Sequence, residues 1–144
     1  MSDTAKQERE IHRLVATYAD AVGRRDDKTW GDTWADDGIW DVLGQRPEGR
    51  DKIVELFLRL MSGFPMIVQN ASGGLVDVDG ERATGRWYIT EYAMGGAAPL
   101  FNLGHYHDRY VKQGGVWRFA ERRFSMIYSG PPDLSAQPMP IASS

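Results

Sequence analysis

Residues 85–92, GRWYITEY, decide how this chain is read. On an extended strand successive side chains point to opposite sides. Trp87 and Ile89 then lie on one face and Tyr88, Thr90 and Tyr92 on the other, so both faces carry large apolar groups. Residues 116–124 repeat the pattern, with Trp117 and Phe119 opposing Ala120 and Phe124. An antiparallel sheet with one wet face alternates more cleanly than this. One face is therefore expected to meet helices and the other a second subunit, in a homodimer.

Around this stretch the remaining elements follow. Residues 65–79 form a strand with a bulge or bend at Ser72-Gly73-Gly74, and Asp79-Gly80 is a two-residue hairpin signal into residues 81–94. A loop over residues 95–99 leads to a strand over 100–112, and Gln113-Gly114-Gly115 turns the chain into 116–128. Upstream, Ile11, Leu14, Val15, Tyr18 and Val22 make one apolar stripe on a helix over residues 8–23. A short second helix carries Trp30 and Trp34 on one face, a strand covers residues 39–43, and a third helix covers 51–61. Helices followed by long antiparallel strands define an α+β class. Residues 1–129 are read as the domain. Residues 130–144 hold four of the seven prolines and Asp133 as their sole charge, and form an extended tail that packs as a lid or dimer arm or stays disordered.

Composition sets outer bounds. The chain has 144 residues, 42% hydrophobic and 26% charged, which suits a single globular core. Seventeen Lys+Arg against twenty Asp+Glu leave a net charge of −3, without the basic footprint of a nucleic-acid binder. There is no Cys, which excludes disulfides, thiol nucleophiles and thiolate metal sites. The start, MSDTAKQERE, carries no signal-peptide pattern, and no apolar run reaches membrane-spanning length, so a cytoplasmic protein is expected. Phosphate-loop, nucleophile-elbow, H-E-x-x-H and dinucleotide signatures are missing.

Three sets of polar residues can carry chemistry. Asp26 follows the stripe of the first helix, four residues after Val22 and eight after Tyr18. It is either a pocket acid with a raised pKa or the cap of the second helix. Glu91 shares a strand face with Trp87 and Ile89, as a pocket acid or a paired structural charge. Arg122 and Arg123 fall on opposite faces of the last strand, so one of them points inward and needs a partner or an anion. His105 and His107 lie on one side of a strand, but Val111 and Lys112 stand where a cupin-type site needs an acid. They are read as strand histidines satisfied by Asp108 or a neighbouring strand, and no metal or other cofactor is expected.

Several segments together resemble a known family. They are Tyr18-Ala19-Asp20-Ala21, Arg25-Asp26-Asp27 and Trp34-Ala35-Asp36-Asp37-Gly38-Ile39-Trp40 near the start. Residues 76–86 (VDVDGERATGR), 104–110 (GHYHDRY) and 115–123 (GVWRFAERR) follow. Over about residues 8–128 the chain resembles the SnoaL-like branch of the nuclear transport factor 2-like superfamily, with its polyketide cyclases, scytalone dehydratase, bile-acid dehydratase and hexachlorocyclohexane dehydrochlorinase. The resemblance implies three N-terminal helices packed in the concave face of a strongly curved mixed sheet, a cone around a deep apolar pocket, in a dimer or trimer.

In dehydratase-like members an Asp after the first helix and a His on the strand after the third helix form a cofactor-free dyad. Asp26 matches the Asp, whereas Met66 stands where the His falls, four residues before Asn70. Arg122 matches an Arg that holds a leaving group or oxyanion. Trp40 and Tyr106 match pocket-lining positions, and the same register puts Trp87, Ile89 and Glu91 inside and turns His105 and His107 outward. The expected function is cofactor-independent acid–base chemistry of the cyclase, isomerase or dehydratase type on a hydrophobic cyclic molecule. Asp26 is expected to be the base, Arg122 the oxyanion partner and Glu91 a second acid, with Tyr18 and Met66 completing the pocket. The alternatives are a non-catalytic binding or dimerisation protein and a metal enzyme using His105 and His107.

Overall fold

In the computed structural model, which describes residues 3–95 and 98–140, three helices precede or interrupt five strands. They are α1 (Asp3–Arg24), α2 (Asp27–Asp32), β1 (Trp34–Asp41), α3 (Arg50–Met61), β2 (Met66–Asp79), β3 (Arg82–Met94), β4 (Leu100–Gln113) and β5 (Val116–Gly130). The sheet runs β1-β5-β4-β3-β2, with β1 parallel to β5 and every other pair antiparallel. It is the expected mixed, curved sheet with helices on its concave side, and it stays open because its edge strands β1 and β2 do not pair. Residues 96 and 97 of the expected loop, and 141–144 of the tail, lie outside the described residues. Among the described residues no helix is long and apolar enough to cross a membrane.

The stripe of α1 is what fills the cone. Ile11, Val15, Tyr18, Ala21 and Val22 are buried, and Leu14 packs against the same cluster. Trp30 stacks on Phe57 of α3 with centroids 4.0 Å apart and also touches Tyr18, Trp34 and Trp40. Each such ring removes on the order of 150–250 Å² from water, so these aromatic groups dominate the energy of helix–sheet docking.

Trp34 departs from the helical expectation. The α2 helix stops at Asp32, where the Thr33 hydroxyl and N–H both turn back on Trp30 O, and Trp34 opens β1. The Asp36-Asp37-Gly38 turn signal is absorbed as an irregularity inside that strand, between the pairs Trp34–Phe119 and Ile39–Glu121. Trp30 and Trp34 still meet, as neighbours across the helix–strand junction rather than as i, i+4 partners.

The expected bulge in β2 sets which side chains face the helices. From Asp79–Arg82 back to Leu75–Arg86 the pairing follows the two-residue hairpin, and it then skips one residue, so that Gly73 opposes Trp87. Gly74 is the extra residue, with φ +92°, and a Cβ there would stand 2.7 Å from Trp87 and 2.8 Å from His12. Glycine is required on both counts. Because side chains alternate, a skip of one residue exchanges the two faces for the rest of the strand. Ile67 and Gln69 therefore point in, and Met66 points out with 37% of its surface exposed.

The tail turns back along β5. Tyr128 Oη donates to Pro131 O at 2.7 Å, Ala136 N donates to Tyr128 Oη, and Met139 N donates to Ile127 O at 2.7 Å. No described residue of the tail lines the internal cavity.

Candidate functional site

Between α1, α3 and the sheet lies a cavity of about 240 Å³. Its wall is mainly apolar: Val22, Phe57, Met61, Ile67, Ile89 and Phe124 are representative. Wider depressions of about 460–590 Å³ elsewhere are open grooves with charged rims on the outer surface. A cavity of about 150 Å³ holds a benzene, so this one suits a ligand of one or two rings.

At one end of the cavity stand Tyr18, Trp40 and Tyr106. Trp40 Nε1 donates to Tyr106 Oη at 3.1 Å, and the two phenol oxygens are 3.2 Å apart. Burial raises the pKa of both phenols, so both keep their protons at neutral pH. Two O–H groups share one hydrogen bond, because only one of them can donate between the pair. Whichever donates, the other retains a proton with no acceptor among the described residues. An oxygen atom of a ligand in the cavity would complete the pair.

Arg122 lies directly behind this group and is fully buried. Its guanidinium carbon sits 3.8 Å from the Tyr106 ring centroid, 4.3 Å from Phe119 and 4.5 Å from Tyr18. Nε and Nη2 hold Asp108 at 2.7 and 3.1 Å in a two-point ion pair. Tyr110 Oη donates to the same carboxylate at 2.7 Å, and Trp87 Nε1 donates to Tyr110 Oη at 2.9 Å. Burial raises the Asp108 carboxyl above its ordinary range, while Arg122 and the hydrogen bonds pull the other way. The two short contacts mark an ionised pair. Arg122 Nη1 is buried without a partner.

At the other end Glu91 is the acid. Its Oε2 accepts from Gln69 Nε2 at 2.8 Å and its Oε1 from Asn102 Nδ2 at 2.9 Å, while Ser129 Oγ donates to Asn102 Oδ1 at 2.7 Å. A carboxylate offers about four acceptor sites, so this arrangement orients Glu91 without saturating it. Gln69 Oε1 is buried and unpaired. Along β4 the step from Asn102 to Tyr106 is four residues, about 13 Å of strand. The intervening inward position is Gly104, so no β4 side chain divides the cavity.

Five of the expected site residues meet in this cavity: Tyr18, Trp40, Ile89, Glu91 and Tyr106. Three do not. Asp26 caps α2, accepting from Thr29 Oγ1 at 2.7 Å and Thr29 N at 3.1 Å, with Arg24 Nη1 at 3.5 Å. The Thr29 hydroxyl, then its N–H, lowers the Asp26 pKa, opposite to the rise expected of a pocket acid. Met66 is turned out by the β2 bulge. Trp87 is buried but packs under Gly74 and His12, away from the cavity wall. Asp108, expected near the strand histidines, faces inward to Arg122. Among the described residues no group of three or more acidic or histidine side chains could hold a metal ion.

Gln69, Asn102 and Ser129 were not singled out in the sequence, nor were the α3 residues that close the cavity. Strand pairing was the available signal, since Asn102 and Gln69 stand directly opposite Glu91 on the two neighbouring strands.

A helix-plugged, open curved sheet around an apolar cavity with a buried phenol pair and one oriented acid defines the α+β cone class. The SnoaL-like domain matches residues 3–123, and the chain belongs to this family. No curated protein matches the sequence. Among solved structures, a variant of Rv3472, a Mycobacterium tuberculosis protein of unknown function, is 27% identical with a TM-score of 0.79 over 88% of this chain and 76% of its own. A Novosphingobium aromaticivorans protein provisionally assigned as a scytalone dehydratase is 20% identical, with a TM-score of 0.85 over 100% and 99% of the two chains. The type-3 hexachlorocyclohexane dehydrochlorinase LinA of Novosphingobium barchaimii is 18% identical, with a TM-score of 0.81 over 88% and 90%.

Proposed function

We propose that this chain is a cofactor-independent acid–base enzyme of the lyase, isomerase or cyclase kind, acting on a one- or two-ring apolar molecule that carries a carbonyl or phenolic oxygen. The observation that carries the reading is the uncommitted phenolic proton of the Tyr18–Tyr106 pair, across an apolar cavity from the oriented carboxylate of Glu91. A ring oxygen would accept that proton in a hydrogen bond. Glu91 would take a proton from the carbon next to the carbonyl, and the pair would stabilise the enolate as charge develops. The proton then returns to another carbon in an isomerisation, or leaves with a departing group in an elimination. Arg122 acts as a positioning residue, because its charge makes the adjacent phenols better donors without touching the ligand. Dehydratase and dehydrochlorinase names among the fold neighbours accord with the lyase branch.

The test is exchange in heavy water. Cyclic ketones that raise the melting temperature of the protein are incubated with it in D2O, and deuterium uptake next to the carbonyl is followed by NMR. Glu91→Gln should bind the same ketones and exchange them about 10² to 10⁴ times more slowly. Binding by wild type without exchange or product would instead identify a carrier. That second reading is favoured by one feature, the amide clamps already present on both Glu91 oxygens.

A further inference from the structure

On the outer face of the sheet, opposite the cavity, three adjacent strands place cationic or basic side chains in one row. Arg86 of β3 pairs with His107 of β4, which pairs with Arg123 of β5. At about 4.8 Å per strand the two arginine Cα atoms are about 10 Å apart, within reach of one small group between them. The next outward row adds Tyr88 and His105, and the two imidazole centroids lie 4.9 Å apart. The row floors a surface groove of about 460 Å³.

The two arginines are unpaired among the described residues, although acids stand nearby. Glu121 is taken by Arg109 at 2.7 Å and approached by Arg46, and Asp41, level with Arg123 on β1, makes no ion pair with it. Asp77 of β2 borders the groove without pairing. His105 Nδ1 is buried and has no partner. Burial first, and then Arg86 and, less strongly, Arg123, lower the proton affinity of both histidines, with His105 also acting on His107. Two unpaired guanidiniums, each able to grip two oxygens, flank two imidazoles that can each donate an N–H to an oxygen. We infer that Arg86, Arg123, His105 and His107 form a binding site for a compact oxyanion, a phosphate or phosphomonoester, on the face away from the cavity. A carboxylate would engage one guanidinium. The three or more oxygens of a phosphate can bridge both and still accept from an imidazole. The acidic rim of Asp77 and Glu121 disfavours a long acidic peptide.

The site is tested by following the imidazole Hε1 signals of the whole protein while inorganic phosphate, and separately phenyl phosphate, is added at constant ionic strength. Saturable shifts of His105 and His107 but not of His12 are expected, with affinity at least tenfold weaker in Arg86→Gln and in Arg123→Gln. Both positions are exposed on the outer face, and the melting temperature of each variant checks its fold. Equal affinity for the two probes assigns free phosphate as the ligand, and tighter binding of phenyl phosphate, with its ring beside Tyr88, assigns a phosphomonoester. Shifts reproduced by chloride, retained in both variants, or dependent on protein concentration instead of phosphate would overturn the site.

Discussion

Removing the guanidinium beneath the phenol pair gives the sharpest test of the buried electrostatics. In Arg122→Met the carboxylate of Asp108 stays buried with Tyr110 as its remaining donor. Breaking one side of a buried ion pair costs about 3–5 kcal/mol, because the surviving charge is uncompensated. For a chain of this size that lowers the melting temperature by about 10 °C. The loss should depend on pH. Burial already raises the Asp108 carboxyl, and without Arg122 the folded variant holds a proton there at pH values where the unfolded chain has released it. The folded state then binds more protons than the unfolded state, so stability falls as pH rises above the ordinary carboxylate range. The limiting slope is about 1.4 kcal/mol per pH unit, until the raised folded pKa is passed. Urea melts at a series of pH values from the ordinary carboxylate range upward measure it, with wild type beside the variant. The double variant Arg122→Met/Asp108→Leu should recover much of the loss, since it removes both charges. A penalty below about 1 kcal/mol that is the same at every pH would refute the reasoning, since exposed pairs behave that way.

Other outcomes follow from the same geometry. Tyr106→Phe leaves Trp40 Nε1 without its acceptor and should cost about 1–3 kcal/mol in chemical denaturation, together with the affinity for oxygen-bearing ligands. Gly74→Ala puts a Cβ against Trp87 and His12 at a positive φ, and should destabilise by about 1–3 kcal/mol in the same assay. Asp26→Asn, which keeps a capping side chain, should leave melting temperature and ligand binding unchanged, whereas Asp26→Ala lowers the melting temperature alone. Loss of turnover in Asp26→Asn would return that carboxylate to the chemistry. Val68, Tyr92 and Met94 are exposed at the end of the outer sheet face remote from Arg86, and we propose that end as the homodimer contact. Tyr92→Lys should reduce the mass measured by light scattering to that of one chain.

Local pattern carried a large part of the fold. The 3.6-residue stripe of α1, the Asp79-Gly80 hairpin and the two-faced strands each express a preference that neighbouring residues determine, and each stands in the structure where the sequence put it. Tyr18, Ile89 and Glu91 were legible for the same reason, since a stripe or an alternation assigns a face. Trp34 was misread because a four-residue spacing fits a helix and a helix–strand junction equally well. The Asp26 position shows a second limit: residue type suits both a cap and a pocket acid, and only the Thr29 contacts separate them.

The amino-acid sequence by itself determined the elements, their order and the face each strand offers in isolation. Tertiary structure decided how those faces are phased against one another. One extra residue at Gly74 exchanges the two sides of β2, which puts Ile67 and Gln69 in the cavity and Met66 outside it. Side-chain alternation is local, but register is a property of paired strands, and a one-residue skip reverses every side chain beyond it. The clamp on Glu91 and the Arg122–Asp108 pair likewise join residues on different strands, and they exist only once the sheet has closed around the helices.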